Sequence, residues 1–306
     1  MLVIGESIHI ISPTVREAVE SLNKKFIQDL ALKQVEKGAN FLDLNIGPQK
    51  KAGVEVMSWL VETIQEVTDI RLSLDTTNAA AMEAGLQICK TKALINSTDS
   101  TPERLESMMP LAAKYNANII ALTVAKGGLP TTADARIELA SEAIMTSAAE
   151  HGVPLEEIYL DPLVLTVNGN QDQAVQTIEA VRFFKQIGDP PPMTTCGLSN
   201  VSNSCPNELR PLLNQVFMVM MLGAGLDSAI ADPLDEELRV VLNIIDNRDD
   251  ATEKGKVYLG LYDAYAAMEE YDTSPVDMND PELKDIAKTI DILQNKTLYA
   301  HGYLRL

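Results

Sequence analysis

The chain has 306 residues, 46% of them hydrophobic, and a net charge of −19. This length suits one large α/β barrel, which needs roughly 250 residues plus loops, and such a chain buries its core without disulfides or metals. The acidic balance argues against nucleic acid and anionic membrane as partners, and three cysteines without a C-x-x-C pair imply reduced thiols and the cytoplasm. No segment approaches the roughly 18 unbroken apolar residues of a membrane span, and the start, MLVIGESIHI, lacks the basic region of a signal peptide.

A first strand is predicted at 2–6, and Gly38 stands where the following helix should end. A second strand at 40–46 precedes a helical face of Val54, Met57, Val61 and Ile64. Strands at 70–75 and 92–96 come next, and Ser100 with Glu103 has capping-box spacing around Pro102. Strands follow at 118–123 and 157–161, with Gly152 ending the helix between them. A seventh strand at 193–199 leads to a helix carrying Leu212, Val216, Val219 and Met220, and an eighth lies at 227–232. The runs are continuously apolar rather than alternating, as in parallel strands buried on both faces. Eight strand–helix units predict an α/β fold, a (β/α)8 TIM barrel; an open doubly wound sheet would want a Gly-rich phosphate loop after an early strand. The whole chain, 1–306, reads as one domain. After the eighth strand, an acidic, tyrosine-rich insertion at about 245–280 takes the place of the closing helix and precedes a last helix with Leu283, Ile286, Ile290 and Leu293. In it Tyr258, Leu261, Tyr262 and Tyr265 have helical spacing, which fits a packed decoration of the barrel or, alternatively, a subunit or partner contact.

In such barrels the C-terminal strand ends face the active site. Here those ends read Glu6, Asp43 and Asn45, Asp75, Asn96, Thr123, Asp161, Ser199 and Asn200, and Asp232. One such residue alone is a turn former or a helix cap. So many at one end describe a ring of acceptors and amides, suited to a ligand edge rich in N–H donors and unsuited to a phosphate. The three histidines, His9, His151 and His301, lack ligand spacing, and no metal bound by this chain is expected. His9, in the first βα loop, could reach the cleft; Cys196 and the run 217–222 read as core.

The fragments LDLNIGP (42–48), SLDTTN (73–78), INST (95–98), LDPLV (160–164) and GLSNVS (197–202) resemble the pterin-binding methyltransferases. That family includes the methyltetrahydrofolate:corrinoid iron-sulfur protein methyltransferases, the methyltransferase components of corrinoid demethylase systems, and the folate domain of cobalamin-dependent methionine synthase. The resemblance implies a pterin-binding TIM barrel that moves a methyl group between N5 of tetrahydrofolate and the cobalt of a corrinoid. No D-x-H-x-x-G corrinoid signature occurs, so the corrinoid would come on a partner protein. It further implies that Asp75, Asn96 and Asp161 bind the pterin of tetrahydrofolate or 5-methyltetrahydrofolate and that Asn200 is the catalytic amide beside N5. Asp43, Gly197 and Ser199 would line the cleft, Arg210 would match an arginine after the seventh strand, and the protein would be a homodimer. The opening departs from the family pattern: GESIH puts Ser7 and His9 where an Arg and an Asn often stand. Dihydropteroate synthase shares the fold but expects a Lys and a His for a pyrophosphate where this chain has Asn200 and Asp232-Pro233. A non-catalytic folate-binding subunit is the reading from another class.

Overall fold

A computed structural model describes residues 1–47 and 52–305; Pro48, at the end of LDLNIGP, lies outside them. In chain order the elements are β1 (Leu2–His9), α1 (Pro13–Glu20), α2 (Lys24–Glu36), β2 (Phe41–Asn45), α3 (Gly53–Gln65), β3 (Arg71–Asp75) and α4 (Ala79–Ile88). There follow β4 (Leu94–Asp99), α5 (Pro102–Tyr115), β5 (Asn118–Leu122), α6 (Ala133–Glu138), α7 (Met145–His151), β6 (Ile158–Asp161), the single turn α8 (Val167–Asn170) and α9 (Asp172–Phe184). The chain continues through β7 (Met193–Thr194), α10 (Arg210–Gly223), β8 (Ser228–Ala231), α11 (Glu236–Asn247), α12 (Glu253–Ala266) and α13 (Pro281–Leu293). The eight strands run parallel in the order β7-β6-β5-β4-β3-β2-β1-β8. One bridge between Gly197 and Ile230, with the Ile230 N–H donating to the Cys196 carbonyl at 2.8 Å, joins the two ends. The architecture is the (β/α)8 barrel that the sequence predicts.

Several local expectations change. β1 runs on to His9, so His9 ends a strand rather than sitting in a loop. β7 stops at Thr194; the Thr195 N–H still donates to the Leu160 carbonyl at 2.9 Å and Gly197 bridges Ile230, and a 3-10 turn replaces the expected strand end from Leu198. The helix after β8 is present: α11 buries Leu238, Val241, Leu242 and Ile245 at helical spacing, and its Asp235 cap accepts from the Leu238 N–H at 3.1 Å. The cap of α5 is Thr101, not Ser100, whose hydroxyl instead donates to the Leu122 carbonyl at 3.0 Å. Gly38 and Gly152 do end helices, each in the left-handed region (φ +95° and +70°) that a Cβ disfavours.

Side chains alternate across a strand, and this sorts the barrel into two environments. Leu42, Leu44, Leu72, Leu74, Ile95 and Ile119 pack against the helices. Ile4, Phe41, Leu94, Ile120 and Tyr159 form a separate cluster inside the barrel. Below that plug, Arg71 lies 4.2 Å over the Phe41 ring and donates to Asn118 Oδ1, and Asn118 in turn donates to Glu157. Two residues above the plug on the same inward phase come Glu6, Asp43, Asn96 and Asp161.

The tyrosine-bearing insertion begins after α11. Tyr258 and Tyr265 are buried (0% and 6% exposed) in the same core as α10 and α13, and the Tyr258 hydroxyl donates to Gln215 Oε1 at 3.4 Å. These two rings are used inside the molecule. The crossing with α10 is tight: a Cβ on Gly223 would lie 2.6 Å from both the Tyr262 carbonyl oxygen and Tyr265 Cβ. Gly223→Ala is therefore expected to destabilise the fold by about 1–3 kcal/mol, the usual cost of overpacking, read as a lower urea midpoint with an unchanged slope. An unchanged midpoint would mean that α12 does not bear on α10.

Candidate active site

The C-terminal end of the barrel opens into a cavity of about 750 Å³. Of the residues assigned from sequence, Asp43, Asp75, Ser199, Asn200, Arg210 and His9 line it. Asn96 and Asp161 are buried (8% and 4% exposed) and are not part of its wall, although Asn96 is bonded to the wall residue Asp43. Asn96 Nδ2 donates to Asp43 Oδ1 at 3.0 Å, and the Ser73 hydroxyl donates to the same oxygen at 2.6 Å. Asn45 Nδ2 donates to Asp75 Oδ2, and its Oδ1 accepts from the Gly47 N–H at 3.0 Å, which fixes the amide orientation. Asp161 Oδ1 accepts from the Leu163 N–H at 2.7 Å.

Asn200 sits in the short 3-10 turn Leu198–Ser202 that follows the barrel-closing bridge. Gly197 is not on the cavity wall; its service is steric. A Cβ there would come 2.9 Å from Asn200 Nδ2, so the absence of a side chain lets the amide fold back over the backbone. The turn is tied down by the Ser202 hydroxyl, which donates to Asn214 Oδ1 at 2.8 Å and accepts from Arg210 Nε at 3.3 Å.

Glu6, Asn45 and Asp232, read from sequence only as members of the polar strand ends, also line the cavity, and Asn203 joins them without any role from sequence. Sequence reasoning also misses Arg136. It is fully buried, donates through Nε to the Pro162 carbonyl at 2.8 Å and through Nη2 to Gln173 Oε1 at 2.9 Å, and lends positive charge to Asp161. No sequence signal marks a buried arginine on an amphipathic helix. His151 is structural, its ring held by the Ser147 carbonyl at 2.8 Å. Among the described residues no group of three His, Cys, Asp or Glu could hold a metal.

The carboxyls are crowded into a half-dry space. Burial, with Asp43 nearby, pushes Asp75 up to about 8. Burial alone raises Asp43 to about 6 against the hydrogen bonds from Ser73 and Asn96. Burial takes Asp161 to about 7, opposed by the Leu163 N–H and Arg136. Burial, then Asp232 and Asp43, take Glu6 to about 7. An acid whose folded pKa is raised binds more protons when folded, so it favours the fold at low pH and costs stability as pH rises. For Asp75 that window runs from 3.8 to about 8. Asp75→Asn removes the charge and keeps an acceptor for Asn45. It is expected to raise the Tm at pH 8, by about 2 °C for each kcal/mol relieved, and to leave the Tm below pH 4 nearly unchanged. Equal shifts at both pH values would refute the account.

A model of the family described as pterin binding enzymes matches residues 15–232. A methylcorrinoid:tetrahydrofolate methyltransferase of Eubacterium limosum is 28% identical over 240 residues, 78% of this chain and 87% of that protein. A methionine synthase of Mycobacterium tuberculosis is 33% identical over 240 residues, 75% of this chain, but the match spans only 20% of that longer protein. Among solved structures, dihydropteroate synthases share the fold. One from Thermus thermophilus has a TM-score of 0.56 at 18% identity, covering 78% of this chain and 91% of that one. One from Yersinia pestis has a TM-score of 0.59 at 16% identity, covering 81% and 92%. Among the described residues no helix is long and apolar enough to cross a membrane. With the match covering well over half of its length, and the acceptor ring standing at the mouth of the expected barrel, the chain belongs to the pterin-binding enzyme family.

Proposed function

We propose that this protein is a methyltransferase that moves a methyl group between N5 of tetrahydrofolate and the cobalt of a separate corrinoid protein. The observation that carries the reading is Asp43, Asp75 and the Asn200 amide on the wall of one cavity, with Asn96 bonded to Asp43 behind it and Asp161 on the same inward phase of β6. A pterin offers a 2-amino group and ring N–H donors, and these acceptors are what such an edge needs. The names of the Eubacterium limosum and Mycobacterium tuberculosis relatives support folate and corrinoid chemistry. The former also favours the direction from a methylated corrinoid to tetrahydrofolate, making methyltetrahydrofolate, as in a demethylase system. A pyrophosphate substrate of the dihydropteroate synthase kind is disfavoured. Among the described lining residues Arg210 and His9 face the carboxylates of Glu6, Asp43, Asp75 and Asp232. A non-catalytic folate store would not need an amide beside N5.

In this reading Asp75, Asn96 and Asp161 hold the pterin, Asp43 holds Asn96, and Ser199 and Arg210 line the approach. Orientation is their contribution to rate. Charge on N5 changes most as the methyl crosses, and the Asn200 amide can donate or accept there in either direction, without titrating. The mouth is open to a partner: Ile11 on its rim is 73% exposed. We further propose one domain decorated at 245–280, a homodimer, a cytoplasmic location and no metal held by this chain.

Binding and chemistry are expected to separate. Asp161→Ala should weaken tetrahydrofolate binding about ten- to a hundredfold by calorimetry, the worth of one charged hydrogen bond. Asn200→Ala should slow single-turnover transfer between saturating folate and a corrinoid protein by roughly a hundred- to a thousandfold, with a far smaller loss of affinity. Transfer by Asn200→Ala at the parent rate would remove the amide from the mechanism.

A further inference from the structure

Neighbouring residues of a strand face opposite ways. Glu6 and Ser7 nevertheless line the same cavity. The cause is a break in β1: its pairing with β2 slips between Gly5 and Ile8, a bulge that re-aims the side chains within it. Past the bulge the alternation resumes in the opposite phase. Ile8 is buried among the helix-side residues, and His9 turns back to the cavity. The fold holds this irregularity in place. The Ser7 N–H donates to Oε1 of Gln34, a fully buried side chain of α2, at 3.2 Å. Gly5 admits that glutamine, since a Cβ there would lie 2.5 Å from Gln34 Oε1. Glu6 keeps the inward phase of Ile4, and the buried amide and the glycine maintain a bulge that brings Ser7 and His9 onto the cavity wall beside it.

The reaction leaves a role for such a group. As the methyl leaves N5, the C–N electron pair stays on nitrogen, and a neutral amine leaves poorly, so N5 must take a proton. Asn200 cannot supply one on its own, because it does not titrate. We propose that Glu6 is the acid–base residue of the cleft. Its carboxyl gives a proton to N5 as the methyl passes to cobalt(I), and its carboxylate takes a proton from N5–H in the reverse direction. In the forward direction the C–N5 bond breaks, an N5–H bond and a methyl–cobalt(III) bond form, and Glu6 is left ionised. In the reverse direction each of these changes is undone, so protons and electrons balance either way. This inference rests on the folate–corrinoid reading above.

The surroundings of Glu6 fit the task. It is faced by Asp43 from β2, Asp232 from the end of β8, Ser199, and Arg210 from α10. Burial and the two carboxylates favour the protonated form, Ser199 and Arg210 the ionised form, and the balance lies at about 7. A general acid works in both directions best at such a value. Ser199, on the same cavity wall as Glu6, is the chain neighbour of Asn200. His9 is placed less well: its Nδ1 accepts from the Ser12 N–H at 3.3 Å, which ties the ring to the β1–α1 turn.

The test is single-turnover transfer from saturating methyltetrahydrofolate to a cobalt(I) corrinoid protein across pH 5.5–8.5, with folate affinity measured separately by calorimetry. The parent rate should fall as pH rises through about 7. Glu6→Gln should be roughly a hundredfold slower and lose that pH limb, the scale of a removed general acid. Its folate affinity should move far less than its rate, which also shows that the variant is folded. Glu6→Asp should recover part of the rate and of the limb, as a merely structural carboxamide would not. Glu6→Gln transferring at the parent rate with the limb intact would overturn the inference while leaving the functional reading in place. So would a limb that survives in Glu6→Gln and vanishes in His9→Ala. A parent that binds no folate would overturn the functional reading itself, and this inference with it.

Discussion

Everything at the mouth of this barrel depends on the two-residue repeat of a parallel strand. On β2 the inward positions are Phe41, Asp43 and Asn45; on β3 they are Arg71, Ser73 and Asp75; on β6 they are Tyr159 and Asp161. One inward step separates the apolar plug from the first carboxyl. The residues between them, such as Leu42, Leu44 and Leu74, face the helices. The plug and the acceptor ring are therefore consecutive layers of the same inner face. A one-residue slip in β2, β3 or β6 would exchange a carboxylate for a leucine on that face. Register is thus enforced by burial on both sides, and the geometry of the ring follows from the packing of the wall.

The plug also explains the electrostatics. It seals the barrel below Asp43 and Ser73, so the carboxyls above it can be hydrated only from the mouth. Desolvation is the largest cause raising Asp43, Asp75, Asp161 and Glu6 alike. Ser73, Asn96, Asn45 and the Leu163 N–H offset part of that cost, each with a donor aimed at one oxygen. The remaining lone pairs face the cavity or its wall. A ligand edge of N–H donors would relieve them, whereas an anion would add to the repulsion. Under the proposed function, preference for a donor-rich ring over a phosphate would come from the same desolvation of the carboxyls.

Much of this is legible in the chain, for identifiable reasons. Strands buried on both faces read as unbroken apolar runs, and their polar ends stand out against them, which is what marks Asp75, Asn96 and Asp161. The bulge at Glu6–Ser7 is not legible, because it exists only as a mismatch of register with β2. Arg136 is not legible either, since its burial is decided by tertiary contacts with Pro162 and Gln173 rather than by its helix. α11 escapes for a different reason. Its stripe of Leu238, Val241, Leu242 and Ile245 is regular, but it adjoins the acidic stretch and merges into the insertion when only sequence is read. Within that insertion the tyrosine spacing does report a helix, and burial of Tyr258 shows that the helix serves the core of α10 and α13. Gly197 reads as cleft lining, whereas what matters there is the missing Cβ under Asn200.

The position of Asn200 follows from how the barrel closes. Every other pair of neighbouring strands forms a ladder, but among the described residues β7 and β8 are joined by the Gly197–Ile230 bridge and by side-chain bonds such as Ser228 Oγ to the Thr194 carbonyl at 3.1 Å, with no ladder between them. Past the Gly197 bridge the chain leaves the sheet, and the 3-10 turn at Leu198–Ser202 carries it away from the strand line. What the ladder no longer holds, side chains hold instead. Ser202 is gripped by Asn214 and Arg210 of α10, and the Thr166 hydroxyl donates to the Asn203 carbonyl from the β6 side. A full-length β7 would have fixed Asn200 in the pleat, where its side chain could point only straight in or straight out. Ending the strand early frees the amide to lie across Gly197 toward the cavity, at the one seam where the barrel can spare the hydrogen bonds. The weakest joint of the sheet and the amide assigned to N5 are therefore one feature, and the orientation of that amide depends on the side chains that replace the missing ladder.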